Sequence, residues 1–373
     1  MAEQPAPDAA DGRPRDPLPE LGVVDWDLAT AVAGRLMAPG PRLAPDEAAA
    51  VVSQLHALAE EAEGLVLAAT RLEPVGVGHP VAVVDRREWV SGNVAGMAAL
   101  SAPLLDAVAR KKPGRTSLAV ARRVAGVEVG ALLSFLGTRV LGQYEIFGPR
   151  PRLSLVAPNI VAAERALEVD PRDFRMWVAL HEQTHRVQFT AVPWLRPHLE
   201  SLVAELAEHT DLDAKQLLER LRSAAGALRP GGGEKPGLVE LLQTPAQRAV
   251  TDQVTAVMTL LEGHAEHVMD AAAVGGPGGP AVPSLEVIRA RFDERRGGGS
   301  VVDRLLRRLT GMDVKLRQYR DGRRFVDAVV EAAGTTAFNT VWESPQTLPT
   351  RAELTDPRGW LRRVLGSAAP LPA

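Results

Sequence analysis

The stretch that decides the reading is Asp-Pro-Arg-Asp-Phe-Arg-Met-Trp-Val-Ala-Leu-His-Glu-Gln-Thr-His-Arg-Val-Gln-Phe, residues 170–189. Asp170 is a good helix N-cap, and Pro171 suits the first helical position, where its missing N–H has no partner to lose. Asp173 falls in the first turn, where the helix dipole favours an anion. A helix over about 171–190 is therefore expected. Its second half holds His181-Glu182-Gln183-Thr184-His185. Positions four apart on a helix differ by about 40° around the axis and roughly 6 Å along it, so both imidazoles can reach one metal ion. Glu182 is rotated about 100° from His181, off the metal itself and beside its open side, where a general base is wanted.

Two histidines need a third protein ligand, a His, Glu or Asp from elsewhere. The other dense cluster is Leu-Leu-Glu-Gly-His-Ala-Glu-His-Val-Met-Asp at 260–270, with Glu262, His264, Glu266 and His267. On a helix Glu262 and Glu266 share a face, whereas His264 and His267 point about 160° and 140° away from Glu262. The carboxylates and the imidazoles cannot both face the metal. A Zn2+ ion held by two His and a carboxylate keeps a water in its open position and can lower that water's pKa to about 7. Glu182 would take the water's proton during attack on an amide carbonyl and deliver it to the leaving amine.

Working outward, the 373 residues are 46% hydrophobic and 24% charged, the composition of a globular chain able to bury a sizeable core. The 43 basic residues are balanced by 46 acidic ones, so no net field favours nucleic acid or an anionic membrane. The absence of cysteine excludes disulfides, thiolate metal sites and a cysteine nucleophile. The proline-rich start, MAEQPAPDAADGRPRDPLPE, carries no apolar run of a signal peptide and reads as a disordered tail over 1–20. The apolar neighbourhood between Arg123 and Arg139 is too short to span a bilayer, and Gly126 and Gly130 suit close helix packing instead. The expected compartment is cytoplasmic.

Most of the chain reads as helix: from Pro45 to about Leu67, from near Trp89, and over about 171–190, 195–209, 213–227, 245–273, 284–296, 300–309 and 312–333. Strands are expected at 81–85 and 152–157, and Gly/Pro-rich loops at 230–237 and 275–280. The fold class is mainly α with a small β element. The division is a 21–150 N-terminal helical region and a 151–366 catalytic region, or one continuous domain over 21–366.

The Glu262-Gly-x-Ala-Glu266 arrangement resembles the second element of glutamate-type zincins. Together with HEQTHRVQFTAVPWLRPHL at 181–199, KLRQYRDGRRFV at 315–326 and FNTVWESPQTLPT at 338–350, it resembles one mainly actinobacterial group of zincin-like proteins. These are often labelled zinc-dependent metalloproteases or associated with deazaflavin-coenzyme biosynthesis. The resemblance covers roughly 21–366. It implies a mainly helical zincin-like metallopeptidase fold, with His181, His185 and Glu262 on Zn2+ and Glu182 as general base. The long interval 186–261 and Leu261, where aminopeptidase relatives commonly have Asn, depart from the better-known glutamate zincins and leave His264 or His267 open as third ligand.

The expected activity is a zinc-dependent peptidase acting on a peptide or protein substrate; the alternative is a zincin scaffold used for binding or regulation. Glu266 could orient a metal-binding His from behind, and Tyr319 could donate to the developing oxyanion. Strand 152–157 could be the edge that pairs with an extended substrate, with Asn159 in the turn after it. Trp177, Trp194, Trp342 and Trp360 read as core anchors, and Arg304–Arg308 as a solvated face. No phosphate-binding or dinucleotide fingerprint is present, so ATP, NAD and deazaflavin have no support in the sequence.

Overall fold

The computed structural model describes residues 24–76, 78–110, 115–148, 150–208, 244–276, 278–297 and 312–366. Of the expectations above, the 1–20 tail, helices 213–227 and 300–309, loop 230–237 and the 304–308 arginines lie outside the described residues.

In chain order the helices are α1 (Trp26–Leu36), α2 (Pro45–Thr70), α3 (Arg86–Arg110), α4 (Arg115–Gly137), α5 (Ala157–Leu167) and α6 (Pro171–Ala191). They continue with α7 (Leu195–Glu208), α8 (Pro245–Val274), α9 (Leu285–Gly297), α10 (Met312–Ala333), α11 (Thr335–Phe338) and α12 (Pro357–Leu365). Three short strands, β1 (Val81–Val84), β2 (Gly142–Glu145) and β3 (Arg152–Val156), complete a mainly helical fold with a small β element. No described helix is long and apolar enough to cross a membrane.

The two long helices that frame the site begin on strong local signals. Asp170 caps α6 by accepting from the Asp173 N–H at 2.9 Å, ahead of Pro171. Asp173 is itself buried and accepts from the Ser284 N–H and hydroxyl, which joins this end of α6 to the approach to α9. Thr244 and Gln247 form a reciprocal capping box at the start of α8.

The main core lies where α2, α5, α6, α8 and α9 meet β3. Leu55, Ala59, Ala62 and Val66 of α2 pack with Phe174, Met176 and Leu180 of α6 and with Val268 and Ala272 of α8. Burying a large apolar side chain of this kind contributes about 1.5–3 kcal/mol. A second core joins α7, the first half of α8, α10 and the C-terminal segment around Phe325, Phe338 and Trp360. A third lies among α1, α3, α4 and the sheet, and here α4 rides directly on α1. A Cβ at Gly126 or Gly130 would stand 2.6 Å from the carbonyl oxygens of Asp25 and Ala29, respectively.

The strand order is β1-β3-β2, with β1 parallel and β2 antiparallel to β3. This corrects the reading of 152–157 as the substrate-facing edge: β3 is the central strand, and Leu153 through Val156 are all buried, as expected of a strand covered on both faces. The edge is β2. Asn159 is likewise in α5 rather than a turn, and it is buried. Its amide donates to the carbonyls of Gly137 and Val140, and its oxygen accepts from Arg86 Nε.

Candidate metal centre

Helix α6 forms the floor of a cleft of about 1160 Å³. On one side runs the edge strand β2 with the residues that follow it, and on the other runs α8. One end is lined by Trp177, Met269 and Phe292, beside Asp270, Arg289 and Arg323. The opposite end is apolar, with Phe147, Phe189, Leu199, Val254 and Met258 among its lining.

His181, His185 and Glu262 converge in this cleft, with one potential ligand atom of each within 4.8 Å of the others. The two Nε2 atoms are 3.3 Å apart, and Glu262 Oε2 lies 3.5 Å from His181 Nε2 and 3.6 Å from His185 Nε2. Three tetrahedral ligands at zinc distances of about 2.0–2.1 Å stand about 3.3–3.4 Å from one another, so the spacing and the nitrogen and oxygen donor set fit such an ion. The group could hold a metal.

The other α8 candidates are placed elsewhere. His264 is buried in an aromatic stack, 5.4 Å centroid to centroid from Phe338 and 5.2 Å from Trp342, and does not line the cleft. His267 turns towards α10, where its Nδ1 lies 2.6 Å from Asp327 Oδ1. Glu266 lines the cleft one turn beyond Glu262. The group at the outer nitrogen of His185, however, is Gln188, whose Oε1 is 2.9 Å from His185 Nδ1.

What sets Glu262 at this point is a close crossing of helices. A Cβ on Gly263 would lie 2.1 Å from the carbonyl carbon of Gly322 in α10, and one on Gly322 would lie 2.1 Å from the Thr259 carbonyl oxygen. Two backbones in direct contact fix the height of the turn that carries Glu262.

Glu182 is buried beside the histidines at 7% exposure, with β2 against it: a Cβ on Gly142 would fall 2.5 Å from Glu182 Cγ. Burial raises its pKa, opposed by the charges of His181 and His185 and reinforced by Glu262. For His185, burial disfavours the charged ring, but the charge and hydrogen bond of Glu262, with Glu182 and Gln188, outweigh it and lift the pKa to about 9. Burial pushes the other way on Glu262, yet the two histidines hold its carboxyl well below the usual carboxylate range. His264 is the opposite case: burial, aided by the charges of His267 and His185, drives its pKa down to about 3, so it is a neutral core residue.

Tyr319 lies on α10, but its side chain is outside the described set. The other tyrosine, Tyr144 on β2, does line the cleft; its ring sits 5.8 Å from Phe189 and its hydroxyl is hydrogen-bonded to His79. Sequence reasoning missed β2, Gly142, Tyr144 and Gln188. Only Gln188 had a legible signal, one turn beyond His185 on the same helix. Trp177 is both a packing residue, stacked on Phe174, and part of the cleft wall. Trp194 donates to the Trp342 carbonyl and Trp360 to that of Thr347, both in the second core.

A helix-borne pair of histidines, a third carboxylate from a neighbouring helix and a buried glutamate beside an open cleft define a centre of the metallohydrolase type. The chain belongs to the family of zincin-like metallopeptidases, whose model matches residues 24–361. It is also similar to a protein from Chloroflexus aurantiacus whose crystal structure is provisionally described as that of a hydrolase with a novel fold. The two share 30% sequence identity with a TM-score of 0.66, over 92% of this chain and 100% of that one. No curated protein matches the chain.

Proposed function

We propose that this protein is a zinc-dependent peptidase, with His181, His185 and Glu262 holding the ion and Glu182 acting as general base. The observation that carries the reading is the convergence of those three ligand atoms in an open cleft with a buried, base-competent carboxylate on the adjoining residue. When bound, zinc polarises the amide carbonyl and lowers the pKa of a water to about 7.

The chain's own residues supply the rest. Burial makes Glu182 a stronger base than a solvated glutamate, suited to accepting the proton of the attacking water and passing it to the departing amine. Gly142 presents backbone alone to Glu182, which lets β2 approach the base closely. Strand β2 pairs with β3 on one side, and its residues line the cleft. An extended peptide adding to that edge would lie across the ligand group, with main-chain hydrogen bonds giving affinity and the cleft ends sorting side chains.

The test is elemental mass spectrometry of the purified chain, paired with peptide-library hydrolysis. One zinc per chain is expected, lost in His185→Ala and in Glu262→Ala. Glu182→Ala is expected to keep the zinc and lose hydrolysis by about 10²–10⁴-fold. Undiminished hydrolysis by Glu182→Ala would sink the mechanism, and a wild-type chain that takes up no zinc would sink the metal assignment.

A further inference from the structure

We infer that Gln188 is the positioning residue of this centre: it selects the nitrogen that His185 presents to the metal and ties the histidine helix to the turn carrying Glu262. The inference rests on the metal-site reading above and adds a role for a side chain that touches neither metal nor substrate.

Gln188 is completely buried. Its Nε2 lies 2.9 Å from the carbonyl oxygen of Leu261. A carbonyl can only accept, so the NH2 group of the amide must face α8, and Oε1 is left facing His185. That oxygen carries no proton. The 2.9 Å contact between Gln188 Oε1 and His185 Nδ1 therefore requires the proton to sit on Nδ1 of His185. A neutral imidazole protonated there has its lone pair on Nε2, the atom that meets His181 Nε2 and Glu262 Oε2 in the cleft.

The second amide proton is directed at His264 Nδ1, also 2.9 Å away. This nitrogen must accept, so the neutral His264 ring carries its proton on Nε2. One glutamine, itself fully buried, thus sets the proton positions of two histidines.

The same side chain has a mechanical role. The carbonyl it holds belongs to Leu261, the residue immediately before Glu262, so a single bond joins ligand-bearing turns that residues 186–261 separate in the chain. A glutamine does this without adding charge, whereas a carboxylate behind the ring would raise the basicity of the ligand.

Long-range 1H–15N correlation of the histidine rings in the zinc-loaded wild-type chain tests the proton assignment without any variant. The expected spectrum shows a protected Nδ1–H on His185 and an Nε2–H on His264. A proton on His185 Nε2 or on His264 Nδ1 overturns the proposal. Chelator competition then measures the energetic consequence: Gln188→Met is expected to weaken zinc binding by about 10–100-fold, and Gln188→Glu, which restores the acceptor for His185 but not the donor to the Leu261 carbonyl, to recover only part of the loss. Zinc binding indifferent to Gln188→Met overturns this role alone. Absence of zinc uptake by the wild-type chain overturns the metal-site reading and this role with it.

Discussion

Helices α6 and α8 both send side chains into one cleft, yet they are held there by different kinds of interaction. Helix α6 is specified by its own residues: a side-chain cap at Asp170, proline at the next position, and two histidines one turn apart. Helix α8 has its own capping box, but the height and rotation that bring Glu262 to the histidines come from outside it. They depend on the backbone contact of Gly263 with Gly322 and on the bond from Gln188 to the Leu261 carbonyl. Within one turn of α8, Glu262 looks into the cleft and is held charged, while His264 looks into an aromatic core and is held neutral. Local sequence builds half of such a site, and tertiary contact places the other half.

That contrast can be broken most forcefully at the helix crossing. Gly263→Ala puts a methyl group against the backbone of Gly322 and Arg323, which cannot rotate out of the way. A stability loss of about 3 kcal/mol is expected, at the upper end of overpacking costs, together with weakened zinc binding as α8 and α10 move apart. Thermal unfolding and chelator competition on the full chain read both. Wild-type behaviour in both would show that the crossing does not set the site.

A pH series sharpens the comparison, because the proton on His185 is held largely by Glu262 from the other helix. In the metal-free protein the His185 pKa is about 9, so below that pH a zinc ion bound as proposed would have to displace a proton. Apparent zinc affinity should rise by about tenfold per pH unit between 6.5 and 9 and then level off. The sign for folding is the reverse: with a raised folded-state pKa, His185 contributes stability to the metal-free protein in full below 6.5, and this is lost as pH climbs through 9. A zinc affinity flat across that range would mean the two side chains are not paired in solution.

The smallest effect belongs to the local side. Asp170→Ala removes the cap of α6 and should lower stability by about 1 kcal/mol, leaving zinc affinity unchanged because the proposed ligands sit in the second half of the helix. A drop in zinc affinity as large as that of Gly263→Ala would erase the distinction.

The same contrast explains what could be read in advance. The predominance of helix, the span of α6 and the bounds of α8, α9 and α10 follow apolar periodicity, joined by caps at α6 and α8, which a sequence displays directly. Strand β2 escaped because Gly-Gln-Tyr-Glu has neither an apolar run nor a clean alternation, and its identity comes from pairing with β3. Strand β3 is legible as a strand but not in its place in the sheet: Leu-Ser-Leu-Val says strand, but only the burial of every one of those residues says centre rather than edge. Helix α5 was hidden by Pro158, which stands at its start rather than beyond the end of a strand. At the site, the angular argument separated the carboxylate face of α8 from its imidazole face but could not say which face meets α6. That choice depends on the packing of Phe338 and Trp342 around His264, contributed from a distant part of the chain.

Gly142 has a practical consequence. With no side chain there, the gap between the edge strand and Glu182 is filled by the glutamate itself, and even one added carbon would displace the carboxylate or the strand. On the proposed reading, Gly142→Ala would leave every metal-binding atom and the base in the chain while denying the base its working position. Such a form would be a substrate trap, able to retain a bound peptide long enough for it to be recovered and sequenced.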